Sequence, residues 1–266
     1  MNELTETKPV KEQAIRSISR ALHVMQAINR HGSLTMTQIS KAVGIPYPTA
    51  CRIVYTLVKE GVIERETSRK HYRPTALSQS LSSGYQERAR LVAIARKHIV
   101  KLTKDTGWPV SLSSRVGPSM VIQDSTHGIT ALTYSDYNAG YTLPIAASAS
   151  GMAYLAFIDA AERAEITAQL QRSSIDEDEK RLITNLQDIH FKIIREDGYA
   201  YHIKNLHTKD PGKTSSIAVP LYKGDEVIGA MTLIFFSSAL RVKEAFDKYK
   251  TSIFEAQHKI NQDLEA

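Results

Sequence analysis

Near the start of the chain, apolar positions recur every three or four residues, which is the spacing of one helix face. The first such stripe runs from Ile18 to Ile28. A short second helix is predicted over residues 35–43 and a third over 48–60. Gly44 lies between them and suits a left-handed turn. Pro46 and Pro48 are tolerated only around a helix start, so they mark where the third helix begins.

A basic hairpin is predicted directly after these helices. Residues 62–73 read as two short strands around the turn Thr67-Ser68-Arg69-Lys70. Three helices and a hairpin within about 60 residues, with a tight glycine turn between the second and third helices, are typical of a winged helix-turn-helix. A purely structural three-helix bundle is the alternative, but it would not need a basic hairpin beside the helix.

The middle of the chain predicts a connector helix over 86–104, with Leu91, Ile94, Ala95 and Leu102 on one face. A free-standing helix needs a partner for such a stripe, which predicts self-association as a dimer or a dimer of dimers. The predicted organisation is therefore a DNA-binding domain over 14–77, a linker helix over 78–104 and a third region over 105–266.

The last region alternates between strand and helix patterns. Strands are predicted over 110–115, 120–126, 131–134, 141–144, 217–222 and 227–236. Helices are predicted over 150–159, 161–171, 182–197 and 242–264. Neighbouring strands joined by short turns favour an antiparallel sheet with flanking helices, so the fold class is α+β.

Charge separates the two parts of the chain. The 266 residues carry a net charge of +6, and all of it comes from residues 1–85, which hold 12 basic and 6 acidic side chains. A basic module joined to a neutral one indicates a polyanion partner for the first part, and a solvated surface that happens to be basic is the alternative. The winged helix makes double-stranded DNA the expected partner. The single cysteine fits a reducing cytoplasm. A polar N-terminus and the lack of a long apolar run predict no membrane association.

Three stretches resemble a known family. They are SISRALHVMQAI with GIPYPTACRIVYTLVKEGVIER, then LPIAASASGMAYLAF, then REDGYAYHI with SSIAVPLYKGDEVIGAMTLIF. Together they resemble the IclR (isocitrate-lyase-regulator) family of bacterial transcriptional regulators, most of all its activators of aromatic-acid catabolism. The resemblance implies a winged helix, a linker helix and a GAF-like effector domain that binds a small molecule. Pro48, Met152 and Ser216 depart from, or vary within, the family pattern.

Candidate DNA contacts follow from the third helix, which is about 20 Å long and fits a major groove. Arg52 is the candidate base reader, because a guanidinium can pair in bidentate fashion with guanine; a phosphate contact is the alternative. The remaining candidates are Tyr47 and Thr49 on the same helix, Arg69 and Lys70 at the wing tip, and Arg16 and Arg20 on the first helix.

Candidate ligand contacts centre on Ser148-Ala149-Ser150-Gly151, which opens a predicted helix. Free backbone N–H groups there favour an anion, and small side chains leave it room; ordinary helix capping is the alternative. Aromatic walls and an opposite rim are expected from the side chains of Trp108, Tyr137, Tyr141, Tyr154, His202, Asn205 and Ser216. The effector is expected to be a small organic acid, most simply an aromatic carboxylate.

Catalysis has little support in the sequence. No nucleophile elbow, P-loop, dinucleotide fingerprint or zinc-protease motif is present, so no catalytic residue, cofactor or metal is expected. The leading prediction is a ligand-responsive transcriptional regulator of a catabolic operon. Two alternatives remain open: an architectural DNA binder without a ligand, and a small hydrolase with a DNA-binding module.

Overall fold

A computed structural model describes residues 15–81, 86–135, 137–172, 181, 183–184, 186 and 188–266. The chain divides into two compact units, Met1–Gly84 and Tyr85–Ala266. The polar N-terminal segment over 1–13 lies outside the described residues.

The first unit is a winged helix. Its helices are α1 (Arg16–His31), α2 (Met36–Val43), α3 (Tyr47–Lys59) and α4 (Ala76–Ser80). Its strands are β1 (Leu34–Thr35), β2 (Ile63–Arg65) and β3 (His71–Pro74), which form an antiparallel sheet in the order β1-β3-β2. Val24, Ile28, Ile39, Val54 and Ile63 are buried together between the helices and this sheet. The predicted helix-turn-helix and wing are therefore present.

Local sequence explains the tight turns of this unit. Thr35 caps α2 by accepting a hydrogen bond from the Gln38 N–H, and the Gln38 side chain accepts one from the Thr35 N–H. Gly44 has a φ of 67°, the left-handed conformation that a residue without Cβ adopts freely. Pro48 lies in the first turn of α3, where its missing N–H costs no helical hydrogen bond.

The second unit is built on a six-stranded antiparallel sheet in the order β6-β5-β4-β9-β8-β7. The strands are β4 (Val110–Val116), β5 (Ser119–Ser125), β6 (Thr142–Pro144), β7 (Ala200–His202), β8 (Thr214–Lys223) and β9 (Glu226–Phe236). The helices are α5 (Gln86–Thr106), α6 (Ala149–Phe157), α7 (Ala160–Arg172), α8 (Asp188–Asp197) and α9 (Val242–Glu265). Helices and an antiparallel sheet in one unit confirm the predicted α+β class.

Helices cover both faces of this sheet. On one face, α5 and α9 pack against apolar side chains of β4, β8 and β9, such as Leu112, Val219 and Leu233. On the other face, α6 packs closely on β8 and β9. Small side chains make this approach possible, because the contact consists of alanines: Ala149, Ala153, Ala200, Ala218 and Ala230.

The apolar face of α5, from which self-association was predicted, is already covered within the same chain. Leu91, Ala95 and Leu102 of α5 are buried against the sheet and α9 of the same chain, and Ile94 packs at the edge of that core. The apolar stripe therefore needs no second copy to cover it. His98, beside the stripe, contacts Asp263 of α9 through Nε2 at 2.8 Å.

The predicted strand over 131–134 was wrong. These residues form bends, in which Leu132 N–H donates to the Thr130 hydroxyl and the Thr133 hydroxyl donates to the Ser135 carbonyl. Such local side-chain bonds compete with strand pairing. The strand β7 was not predicted. The predicted helix start at Leu182 lies outside the described residues, and α8 is described from Asp188.

Candidate functional site

A groove between α1 and α3 gathers most of the predicted DNA contacts. Arg16, Arg20, Thr49 and Arg52 all line it, and the space along it, open solvent included, is about 1170 Å³. The three arginines project from two helices that pack on each other through the core of the first unit. A cleft bordered by guanidinium groups favours a polyanion, and phosphate contacts of this kind set the register of a DNA duplex.

The other three predicted DNA contacts are not among the residues that line this groove. Tyr47 is exposed in the first turn of α3, and Arg69 and Lys70 are exposed at the tip of the β2–β3 wing. Tyr55 was not predicted, yet its side chain is 72% exposed on α3. Its position three residues after Arg52 places it on the same helix face, so helical periodicity could have identified it.

The second unit contains a cavity between the sheet and the start of α6. The space inside it, with the open solvent at its mouth included, is about 520 Å³. The sheet, the 127–143 region, the start of α6 and the loop after β7 all contribute to its lining. The lining residues are Ser111, Ser113, Ile122, His127, Tyr137, Leu143, Ser148, Ala149, Ser150, Asn205, Thr208, Thr214, Ser216, Thr232 and Ile234.

Six of the eleven predicted ligand contacts line this cavity: Tyr137, Ser148, Ala149, Ser150, Asn205 and Ser216. The start of α6 is capped by Ser148, whose hydroxyl oxygen accepts a hydrogen bond from the Gly151 N–H at 3.1 Å. Capping and cavity lining therefore coexist at this helix start. The Asn205 side chain donates to the Ala147 carbonyl at 3.1 Å, which ties the loop after β7 to the residues before α6.

The other five predicted contacts lie elsewhere. Trp108 packs edge-on against Phe235 and Phe236 in the core on the opposite face of the sheet. Gly151 lies against the backbone of Ile145, where an added Cβ would be 1.9 Å from the carbonyl oxygen. The remaining three are also outside the cavity lining: Tyr141 lies against the edge of Tyr137, Tyr154 is near Glu162, and His202 is on β7.

The cavity wall is formed mainly by polar side chains, together with the His127 imidazole, and the Lys209 ammonium lies 5.4 Å from the centre of the Tyr137 ring. The Tyr137 hydroxyl accepts a hydrogen bond from the Lys209 N–H at 3.0 Å, and burial raises the pKa of this phenol. At the far end of α6, Arg163 donates to the carbonyls of Leu155 and Ile158, and Arg195 donates to that of Ala156. Two cations thus stabilise the negative end of α6, and its positive end faces the cavity.

Sequence reasoning missed the hydroxyl groups of the sheet. Ser111 and Ser113 on β4, Thr214 on β8 and Thr232 on β9 line the cavity from below. The sequence allowed one step toward them, because Ser111 and Ser113 are two residues apart and therefore share one face of a strand. Which strands lie side by side could not be read from that spacing.

Over the part of the chain that the structure describes, no group of three or more histidine, cysteine or acidic side chains could hold a metal ion. Within the same residues, no helix is long and apolar enough to cross a membrane.

A winged helix with an arginine-lined groove, followed by a separate unit with a small-molecule cavity, defines the class of ligand-linked DNA-binding proteins. Family models match both units: the IclR helix-turn-helix domain over residues 17–67, and the bacterial transcriptional regulator IclR C-terminal domain over 83–262. The chain belongs to the IclR family, as its sequence motifs predicted. Members of this family are transcriptional regulators and not enzymes.

Individual relatives are distant. The acetate operon repressor of Salmonella typhimurium is 26% identical over 172 residues, which are 64% of this chain and 61% of that protein. The regulator BhcR of Paracoccus denitrificans is 30% identical over 117 residues, or 42% of this chain and 41% of that protein. The matched regions therefore span about three fifths or less of these relatives.

Solved structures share the fold over nearly the whole chain. The Thermotoga maritima IclR superposes with a TM-score of 0.64 at 18% identity, covering 94% of this chain and 99% of that one. An IclR homologue from Microbacterium hydrocarbonoxydans, complexed with 4-hydroxybenzoate, superposes with a TM-score of 0.66 at 18% identity. That alignment covers 93% of this chain and 98% of the homologue.

Proposed function

We propose that this protein is a cytoplasmic, ligand-responsive transcriptional regulator of a catabolic operon. The observation that carries the proposal is the convergence of Arg16, Arg20 and Arg52 on one groove of a winged helix. In this arrangement α3 enters the major groove with Arg52 toward the base edges, while Arg69 and Lys70 of the wing reach the phosphate backbone.

The proposed effector is a small organic acid, with an aromatic carboxylate as the best fit. Its carboxylate lies at the amides that open α6, near Ala149 and Ser150, where the helix dipole favours an anion. None of the cavity-lining residues in the described chain is a lysine or arginine, so amides, hydroxyls and the His127 imidazole are the groups that can hold the charge. Tyr137 supplies an aromatic wall. The distant homologue with bound 4-hydroxybenzoate supports an aromatic carboxylate as the effector.

Coupling between cavity and DNA is proposed to run through α5, the first helix of the second unit. Arg96 of α5 donates to the Asp124 carboxylate at 2.8 Å and to the Ser125 carbonyl at 2.9 Å. The Ser125 hydroxyl in turn donates to the carbonyl of Tyr137, a cavity residue, at 2.6 Å. A ligand that moves Tyr137 therefore acts on groups bonded to α5, and linkage requires DNA to affect ligand affinity equally.

The test uses the full chain. Duplexes selected from a random-sequence pool provide an operator, and its affinity is measured with and without benzoate and other carboxylates. We expect selection of a defined sequence, and a change in its affinity of about fivefold or more with at least one acid. A defined operator with no ligand effect would favour the architectural alternative, and failure to select any sequence would refute the proposal.

Self-association remains part of the proposal. Ile15, Ile18 and Leu22 of the α1 region are each more than half exposed and recur at helical spacing, which supports an apolar contact surface on the first unit. A dimer or dimer of dimers would place two winged helices on half-sites about one helical turn apart. Light scattering that gives a monomer at micromolar concentration would reject this part.

A further inference from the structure

The segment between β7 and β8 connects two borders of the cavity. Two of its residues, Asn205 and Thr208, line the cavity. At one border the Asn205 side chain donates to the carbonyl of Ala147, just before α6, at 3.1 Å. At the other border the Lys209 N–H donates to the Tyr137 hydroxyl at 3.0 Å. The segment is therefore one part of the cavity wall and is bonded to two of the other parts.

This segment is a compact loop that is bonded largely to itself. Its ends meet where the Asn205 N–H donates to the Thr214 carbonyl at 3.0 Å. Within the loop, the Gly212 N–H donates to the Asn205 carbonyl at 2.9 Å, and the His207 N–H donates to the Asn205 side-chain oxygen at 2.8 Å. A loop whose ends lie close together and whose own groups bind its backbone is an Ω-loop. Such a loop can move as one body.

Residues in the left-handed region mark both ends of this loop. Lys204 has a φ of 49° and is the only non-glycine residue of the described chain in that region. Gly212 has a φ of 76°. A side chain makes the left-handed conformation unfavourable, so the backbone at Lys204 is strained. Hinges are single positions of this kind, at the ends of elements, that take up a change in backbone angle.

Little apolar burial holds the loop in place. Leu206 is 68% exposed, and Ile203, directly before the loop, is 57% exposed. Besides the two hydrogen bonds at the cavity borders, the Lys209 ammonium lies 5.4 Å from the centre of the Tyr137 ring and 5.5 Å from that of Tyr141. Segments with few buried apolar contacts open at a small fraction of the free energy of global unfolding.

We propose that residues 204–212 are a lid over the cavity that rotates about Lys204 and Gly212. A small molecule enters and leaves the cavity only while the lid is open. The residue that holds the lid at one border, Tyr137, also accepts a hydrogen bond from the Ser125 hydroxyl, on the bonded path to α5. The statement about ligand entry rests on the proposed function, whereas the motion of the lid does not.

Amide hydrogen exchange on the full chain without ligand tests the motion. When the lid opens as one body, the Lys209 amide loses its bond to Tyr137, and the His207 amide keeps its bond inside the lid. After correction for intrinsic rates, Lys209 should therefore exchange at least about tenfold faster than His207. Equal exchange rates at the two amides would overturn the proposal, because they indicate that the loop unfolds and does not rotate.

Gly212→Ala and Gly224→Ala form a matched pair of variants. Both glycines have a left-handed φ, and an added Cβ is no closer than 3.8 Å to a neighbouring atom at either position. Gly224 lies in the turn between β8 and β9, outside the lid. Alanine disfavours this backbone at both positions, but only Gly212→Ala weakens the closed lid. Exchange at Lys209 should become about fivefold faster in Gly212→Ala and stay within about twofold in Gly224→Ala. Equal effects of the two variants would contradict the hinge.

Benzoate is the probe for ligand entry, and its association and dissociation rate constants are measured from NMR line shapes on the full chain. Gly212 is not among the cavity-lining residues. Gly212→Ala should therefore raise both rate constants about fivefold and leave Kd within about twofold, because the lid opens more often in the free and the bound state. A faster dissociation alone would overturn control of entry by the lid. If benzoate does not bind, the carboxylate site of the proposed function fails, and the exchange measurements decide on the lid.

Discussion

Replacing Gly151 by alanine should destabilise the second unit. The new Cβ would be 1.9 Å from the Ile145 carbonyl oxygen and 2.6 Å from the carbonyl carbon. Real Cβ atoms essentially never show contacts under 3.0 Å, and the distance to the carbonyl oxygen is more than 1 Å below that limit. Both contacts are backbone atoms, so no side chain can rotate away, and α6 or the segment before it has to shift.

The cost follows from two opposing effects. Overpacking of this kind costs about 1–3 kcal/mol, and the fixed backbone places it at the upper end. Alanine regains up to about 1 kcal/mol over glycine in a helix. We therefore expect a net loss of about 2 kcal/mol, which lowers the urea midpoint by about 1 M for an m-value near 2 kcal/mol/M.

Trp108 makes the measurement specific. It is the only tryptophan of the chain and is buried in the core of the second unit, so its fluorescence follows unfolding of that unit. Gly128→Ala is the control, because no atom lies within 4 Å of its added Cβ, and its stability should stay within about 0.5 kcal/mol of wild type. Equal midpoints for the Gly151→Ala and Gly128→Ala variants would refute the packing argument.

Three further predictions concern DNA, helix capping and pH. Arg52→Ala should cost about 1–3 kcal/mol of binding free energy on a selected operator and relax the sequence preference. Lys70→Ala should weaken binding to all duplexes alike and lower the slope of log affinity against log salt concentration by about one. Equal losses of affinity on specific and random DNA would show that Arg52 reads no base. Arg163→Met leaves two buried carbonyls without their guanidinium donor and should destabilise the second unit by about 2–3 kcal/mol in the same urea assay, and an unchanged midpoint would contradict this. Burial lowers the pKa of His202 below its ordinary 6.5, so the folded state binds fewer protons than the unfolded state, and stability is full above pH 6.5 and falls as the pH drops below it. His202→Gln should therefore flatten the decline in Tm between about pH 7 and pH 5, and a parallel decline in both proteins would exclude His202 as its source.

The winged helix could be predicted from sequence because its signals are local. The stripe from Ile18 to Ile28, the turn at Gly44 and the prolines before α3 each act within a few residues. The two-residue strand β1 gives no periodicity at all, since its pairing depends on β3, more than 30 residues later. The DNA-contact candidates stay predictions, although four of them converge on one groove.

The cavity could be predicted only in part. The helix start at Ser148 was predicted because a capping residue and small side chains form a local sequence pattern. The need for glycine at position 151 comes from the backbone of Ile145, which lies too close for a Cβ. The hydroxyl groups on the sheet side of the cavity come together only because strands from opposite ends of the unit, β4 and β9, pair in one sheet. For the same reason α5 was expected to need a partner chain, because its cover, α9, comes more than 130 residues later.

The alanine contact between α6 and the sheet has a consequence for how tightly a small ligand can be held. Alanine has no side-chain torsion to restrict, so the five alanines cannot reorganise, and one of them, Ala149, lines the cavity. At that point of the wall, binding costs no side-chain conformational entropy. The same contact offers no rotamer that could enlarge the space on this side. On this side, a ligand too large for the cavity can enter only if α6 itself moves away from β8 and β9.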